Sequence, residues 1–364
     1  MKSNLIITLS GLATAVLART EIMLPLYAAP GGTTTTAEWN ATIDAIRKNP
    51  DMHFYVVINP NNGPKNTSTP GNGGRCNVHT TGALDEYIEH GCNRDYSTNL
   101  AKINALPNAQ TVGYIYTRYG DQSNRSIAEI QEDIAEWCVT PIHPAPIFIT
   151  ANLQVICLQR ALWNTAATWD ANVQANISIH GLWFDETGTT LPNRTEYETL
   201  TSYARNVFAT TGPSPRNQFS IIMNPGSNPQ TDYEPFLFAM ADAVVTRETC
   251  WTSTHSSPSD PHGDCTGDYT PYDYKEMYQG LGNKTAGLPH DPALNSKAVV
   301  IVHQVVDPPT ANNQTLYDQI LGTVRLGVHS AWFTSGNWSQ QTRLPASVGV
   351  VAEFFSKANK EVGN

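Results

Sequence analysis

The stretch Phe54-Tyr55-Val56-Val57-Ile58-Asn59-Pro60 decides the fold. Five apolar or aromatic residues run without a polar break, and Asn59-Pro60 stops them. Such a run reads as a strand buried on both faces, which is the signature of a parallel sheet covered by helices. Outward from it, a strand run at 22–29 ends at Pro30-Gly31-Gly32, and residues 37–48 carry Trp39, Ile43 and Ile46 at helical spacing. Downstream the same alternation continues. Strands are expected at 112–119, 177–184, 219–223, 243–246, 298–306 and 328–334. Helices are expected at 83–105, 127–137, 195–209, 233–240, 316–326 and 348–358, with a Tyr-rich helix following a Cys-bracketed loop before the seventh strand. Eight β-then-α units imply an α/β chain, a single (β/α)8 barrel of the TIM type. An open doubly wound sheet would be expected to carry a Gly-x-Gly-x-x-Gly turn after its first strand, and none is present.

The length of 364 residues suits one barrel domain, here 19–364, after a leader at 1–18. Lys2 starts that leader, residues 5–17 form an apolar run, and Val16-Leu17-Ala18 supplies a small-residue cleavage site. The run is shorter than the ~20 apolar residues of a membrane span. No later segment is long and apolar enough to span, so a secreted chain without a membrane anchor is expected. Eight Asn-x-Ser/Thr triplets, at Asn40, Asn66, Asn124, Asn176, Asn193, Asn283, Asn313 and Asn337, suggest a glycosylated surface. Six cysteines fit an oxidising compartment, with Cys76–Cys92 and Cys250–Cys265 as the short-range pairings to expect.

With 22 basic against 32 acidic residues the net charge is -10, which argues against a nucleic-acid partner and fits a neutral or cationic ligand. Neither Cys-x-x-Cys nor His-Glu-x-x-His occurs, so no zinc site is expected. No Gly-x-Ser-x-Gly elbow supports a serine hydrolase. A monomer is the default expectation. Residues 138–163 fit no barrel period. They read either as an insertion with its own Cys138–Cys157 bridge or, preferably, as a translated intron, since Trp137 would join Asn164 smoothly.

Active sites of such barrels lie at the C-terminal ends of the strands. Polar residues close nearly every strand here: Tyr27, Asn59, Arg118 with Tyr119, Asp185-Glu186, Asn224, Glu248, His303-Gln304 and Thr334. Three of these ends bring the carboxylates Asp185, Glu186 and Glu248 to one rim. Glycoside hydrolysis needs two such groups, one to protonate the leaving oxygen and one to attack or to activate water. Each acid also has a bland reading as a loop cap or surface charge. Tyr27, Tyr116, Tyr119 and Trp183 are candidates for stacking on sugar rings, or else ordinary barrel filling. His180 reads as a hydrogen-bonded core residue. Arg247 reads as a partner for a surface acid.

Seven ordered motifs carry a resemblance. They are Leu24-Pro25-Leu26-Tyr27 with Trp39, then Val57-Ile58-Asn59-Pro60-x-x-Gly63-Pro64, Gly113-Tyr114-Ile115-Tyr116-Thr117-x-Tyr119-Gly120, and His180-Gly181-Leu182-Trp183-Phe184-Asp185-Glu186. Asn224-Pro225-Gly226 and Ala241-Asp242-x-Val244-Val245-Thr246-x-Glu248 follow, with Val302-His303 after them. Together they resemble spherulation-specific family 4, the spherulin-4-like proteins of glycoside hydrolase family 135, over nearly the whole mature chain. The resemblance implies a secreted, cofactor-free endo-α-1,4-N-acetylgalactosaminidase acting on galactosaminogalactan-type exopolysaccharide. It implies Asp185 and Glu248 as the catalytic pair, with Asp185 the preferred nucleophile and Glu186 a helper. Tyr27, Asn59, Arg118, Tyr119, Asn224 and His303 are the expected substrate contacts. The chain departs from the family pattern at His180, where an aspartate is usual, and at Arg247, where an apolar aromatic is usual, which leaves substrate preference open. Two rivals stand beside this reading: a catalytically silent wall- or spore-associated polysaccharide-binding protein on the same barrel, and a hydrolase for another amino sugar.

Overall fold

The structure is a computed structural model, and it describes residues 19–28, 30, 33–59, 63, 94–121, 125–137, 179–211, 219–251, 271–278, 287–305, 313–336 and 345–363. Eight parallel strands close into a barrel in chain order, β1 through β8, as the alternation of elements implies. The strands are β1 Glu21–Leu26, β2 Phe54–Ile58, β3 Ala109–Tyr116, β4 Gly181–Asp185, β5 Ser220–Asn224, β6 Ala243–Cys250, β7 Ala298–His303 and β8 Ser330–Phe333. The helices are α1 Thr33–Lys48, α2 Arg94–Asn104, α3 Ile127–Trp137, α4 Arg194–Thr211, α5 Glu234–Met240, α6 Gln314–Arg325 and α7 Ala346–Gly363. Glu21 pairs with Ser330 and Ile22 with Ala331, which seals the first strand to the last.

Alternation along each strand divides the core into two layers. Met23, Tyr55, Val57, Val112, Tyr114, Trp183, Ile222, Val245, Val299 and Ile301 fill the barrel interior. Their neighbours, among them Leu24, Val56, Ile115, Phe184, Met223 and Val300, meet the helices outside. In α1, Trp39, Ile43 and Ile46 fall on one face and are buried. α3 begins with a capping box: Ser126 N–H donates to Glu129 Oε2 at 2.8 Å, and Glu129 N–H donates back to Ser126 Oγ at 3.3 Å. In α7, Val348, Val351, Ala352 and Phe355 recur at helical spacing against the core. One turn later Asn359 accepts from Thr20 N–H at 2.9 Å and donates to Thr20 O at 2.9 Å. The last helix therefore grips the residue just before β1.

Several boundaries differ from expectation. β3 ends at Tyr116 rather than 119, because Arg118 and Tyr119 take left-handed backbone angles (φ 50° and 54°) that no strand accepts. β6 runs on to Cys250 through a bulge, since Val245 pairs with Val299 while Arg247 pairs with Val300. Between β6 and β7 the expected Tyr-rich helix is replaced, among the described residues, by the short 3-10 turns Glu276–Tyr278 and Pro292–Lys297. Tyr272 and Tyr274 are spent on packing: Tyr272 bonds Thr323 at 2.6 Å, and the Tyr274 ring fills the space beside Gly322 where a Cβ would sit. The leader 1–18, the segment 138–163, and Cys76, Cys92, Cys138, Cys157 and Cys265 lie outside the described residues. So do five of the eight acceptor asparagines. Of the other three, Asn40 is exposed, Asn193 Nδ2 donates to Tyr119 O at 3.3 Å, and Asn313 caps α6. Among the described residues no helix is long and apolar enough to cross a membrane.

Candidate active site

Three strand ends build the centre. Asp185 closes β4, Asn224 closes β5, and Glu248 lies late in β6. Asp185 and Asn224 sit opposite one another in the β4–β5 register, and both follow the inward parity of Trp183 and Ile222. Glu248 would not, if β6 alternated strictly. Ala243 and Val245 point inward, so an unbroken strand would send Arg247 inward and Glu248 out. The bulge inserts Thr246 as an extra residue, its hydroxyl donating to Gly287 O at 2.6 Å. Parity is thereby reversed, and Glu248 faces the barrel axis.

Asn224 Nδ2 donates to Asp185 Oδ1 at 2.7 Å and to Glu248 Oε2 at 2.9 Å. Its own orientation is fixed, because Gly226 N–H donates to Asn224 Oδ1 at 2.8 Å. Two acid oxygens on one nitrogen can lie no further apart than the two bonds laid end to end, 5.6 Å. The second oxygen of each acid is also engaged. Tyr114 O–H donates to Asp185 Oδ2 at 2.5 Å, and His303 Nε2 lies 2.9 Å from Glu248 Oε1.

Burial, and then the charge of Glu248, push the Asp185 carboxyl up from its ordinary 3.8 to about 7, against the opposing hydrogen bonds from Tyr114 and Asn224. Burial and the Asp185 charge hold the Tyr114 hydroxyl well above its usual range, so it keeps its proton as a donor. Tyr27, at the end of β1, is raised by burial and by both Asp185 and Glu248, and it packs edge-on against Tyr114 with ring centres 5.3 Å apart.

Glu186 follows Asp185 in a left-handed conformation (φ 51°) and accepts a hydrogen bond from the Tyr116 hydroxyl. Thr117, fully buried, holds this corner: its hydroxyl reaches Asp185 O at 2.8 Å and Glu186 O at 2.9 Å. Tyr119 N–H also bonds Glu186 O. Tyr119 is 58% exposed, and burial and then the charges of Glu186, Asp185 and Glu248 raise its hydroxyl to about 12, so it stands at the rim of the acidic centre. The exposed Arg118 guanidinium lies 5.5 Å from the Tyr116 ring centre.

The expected site residues thus divide. Asp185, Glu248, Asn224, His303 and Tyr27 converge. Glu186, Tyr119 and Arg118 form one rim. Asn59, buried just past β2, accepts from Gly63 N–H at 3.2 Å and so holds a turn. Trp183 cannot stack on a sugar, because it is fully buried inside the barrel two residues below Asp185. Nor does His180 border the site. It precedes β4 at the opposite end of the barrel, where Thr111 Oγ1 lies 3.1 Å from its Nδ1 and Gln110 donates to its carbonyl at 2.8 Å. Tyr114 was missing from the expected set. A tyrosine inside an apolar strand looks like filling, and only its shared parity with Tyr116 hints at an inward hydroxyl. Among the described residues no group of three or more His, Cys, Asp or Glu side chains could hold a metal ion.

Comparison with known proteins agrees with this architecture. The model of spherulation-specific family 4 matches residues 21–74 and 88–351. A crystal structure of Aspergillus clavatus Sph3 in complex with GalNAc has a similar fold, with a TM-score of 0.56 and 19% identity over 93% of this chain and 98% of that one. No curated protein matches the chain. The family match spans most of the barrel, from β1 into α7, and on it the chain belongs to spherulation-specific family 4.

Proposed function

We propose that this protein is a secreted glycoside hydrolase that cleaves an N-acetylgalactosamine-containing polysaccharide with Asp185 and Glu248 as its carboxyl pair. The observation that carries the reading is the Asn224 nitrogen, which holds one oxygen of each acid within 2.9 Å. A ceiling of 5.6 Å on the nearest oxygens favours the closer arrangement of retaining enzymes, ~5–5.5 Å between carboxyl groups, over the ~6.5–9.5 Å that leaves room for a water in inverting ones. Asp185, pushed up to about 7, keeps a proton through the acidic range and is the general acid. This reverses the order of roles preferred from sequence. Asp185 protonates the glycosidic oxygen as the bond to the anomeric carbon breaks, and the Glu248 carboxylate attacks that carbon. Water then cleaves the glycosyl-enzyme, with Asp185 taking the water's proton. Tyr119 offers an exposed ring at the rim for a sugar face. The GalNAc bound by Sph3, a protein of similar fold, supports the choice of sugar.

The test is reducing-end release from a purified N-acetylgalactosamine polymer by the wild-type protein, Asp185→Asn and Glu248→Gln. Release by the wild type that both substitutions abolish is the expected result. Polymer binding without release by a folded wild-type protein would refute hydrolysis and leave a sugar-binding barrel. Secretion rests on the leader-like residues 1–18. Fractionation of the culture followed by N-terminal sequencing tests it, and a protein that stays in the cells with an intact Met1 would overturn it.

A further inference from the structure

We propose that Tyr114 and Asn224 are positioning residues that distribute one proton over the carboxyl pair, Tyr114 holding one oxygen of Asp185 and Asn224 tying the other to Glu248. The inference rests on the hydrolase reading for its consequence in catalysis, but its geometry stands without it. A carboxamide nitrogen has two N–H donors and no lone pair to offer. Asn224 directs one donor to each acid, and Gly226 N–H prevents the amide from turning over. A proton gained by either acid is therefore felt by the other through a shared partner, beyond their direct repulsion.

Tyr114 acts on one side only. Its hydroxyl meets Asp185 Oδ2, and the strand that carries it is braced from behind. Trp137 Nε1 donates to Tyr114 O at 2.8 Å, with the indole pressed onto Gly113 so closely that a Cβ there would come within 2.6 Å of the ring. Tyr27 backs the ring edge-on. The donor is thus held in place before substrate arrives. Other ionisable groups face Asp185 from every side: Tyr27 from β1, Tyr116 from β3, Tyr119 beyond it, Glu186 next in the chain, Glu248 from β6, and His303 of β7 behind Glu248. Among the described residues Tyr114 and Asn224 are the donors bonded to the Asp185 carboxyl.

The experiment is a side-chain carboxyl 13C NMR titration of the full chain, with Asp185 assigned by its loss in Asp185→Asn, run beside the pH profile of kcat/KM. Tyr114→Phe should raise the Asp185 midpoint by about one pH unit, since it removes one hydrogen bond to a charged acceptor. It should carry the alkaline limb of the profile up with it and leave Glu248 in place. Asn224→Ser should move both midpoints. An Asp185 midpoint unchanged in folded Tyr114→Phe, or a response of only one acid in Asn224→Ser, overturns the proposal. If Tyr114→Phe fails to fold, Asn224→Ser alone decides. Shifted midpoints in a protein that cleaves nothing would sink the hydrolase reading and leave the proton distribution standing. Cleavage with unmoved midpoints does the reverse.

Discussion

Replacing Asp185, the proposed acid, should remove a loss of stability toward alkaline pH while destroying activity. Asp185 is raised from 3.8 to about 7 by burial and by the Glu248 charge, so the folded chain resists its ionisation. Between those two values the native state binds more protons than the unfolded one, and stability falls as pH rises. Below 3.8 the carboxyl is protonated in both states and costs nothing. Above 7 the full penalty applies. At ~1.4 kcal/mol per pH unit the interval is worth roughly 4 kcal/mol, and about half of that once water at the cleft mouth screens the charge. Asp185→Asn keeps the shape and the acceptor oxygen for Tyr114 without the charge; its amide nitrogen meets the Asn224 donor, a cost that is the same at every pH and cancels in the comparison. The assay is urea unfolding of both proteins at pH 5 and pH 8. The variant's advantage should grow by about 1–3 kcal/mol between them. A stability difference that is the same at both pH values would refute the assignment of a raised carboxyl to Asp185.

Other expectations follow from the same geometry. Glu248→Gln removes the attacking carboxylate and should lower kcat on the order of 10²–10⁴-fold, with the melting temperature little changed; a loss smaller than tenfold would exclude Glu248 from the chemistry. Gly113→Ala forces a methyl into the Trp137 indole and should cost about 1–3 kcal/mol in urea unfolding, with a fall in activity through Tyr114. A neutral result would show that α3 slides freely on β3. The net charge of -10 should draw a partly deacetylated, cationic galactosamine polymer by long-range attraction. Affinity should then drop in ~1 M salt, where the screening length shrinks to about 3 Å, and salt-independent binding measured by calorimetry would contradict it.

The barrel was legible because most strands carry an apolar run on both faces. Phe54–Ile58 and Ile127–Trp137 fall where their patterns put them, since Asn59-Pro60 and Trp137 end runs of unmixed periodicity. Strand-end position also gathered Asp185, Asn224, Glu248 and His303 from four strands. What stayed hidden depends on register and dihedral angle. The inward turn of Glu248 rests on a one-residue bulge at Thr246, and nothing in Val244-Val245-Thr246-Arg247 announces it. Tyr114 meets Asp185 only because Tyr116 pairs with Asp185 across β3 and β4, a stagger that hydrophobicity does not encode. His180 is a hydrogen-bonded residue, as its place in an apolar run suggests. Its closeness to Asp185 in sequence does not bring it near the site, because five strand residues at ~3.3 Å each separate the two ends of β4.

The grip of Asn359 on Thr20 has a meaning for how the molecule is made. The two residues are 339 positions apart, and the β1 edge stays unpaired until β8 reaches it. A ribosome makes everything from β1 to β8 before the ring can shut. During that interval the Ile22–Leu26 edge is an open template for stray pairing.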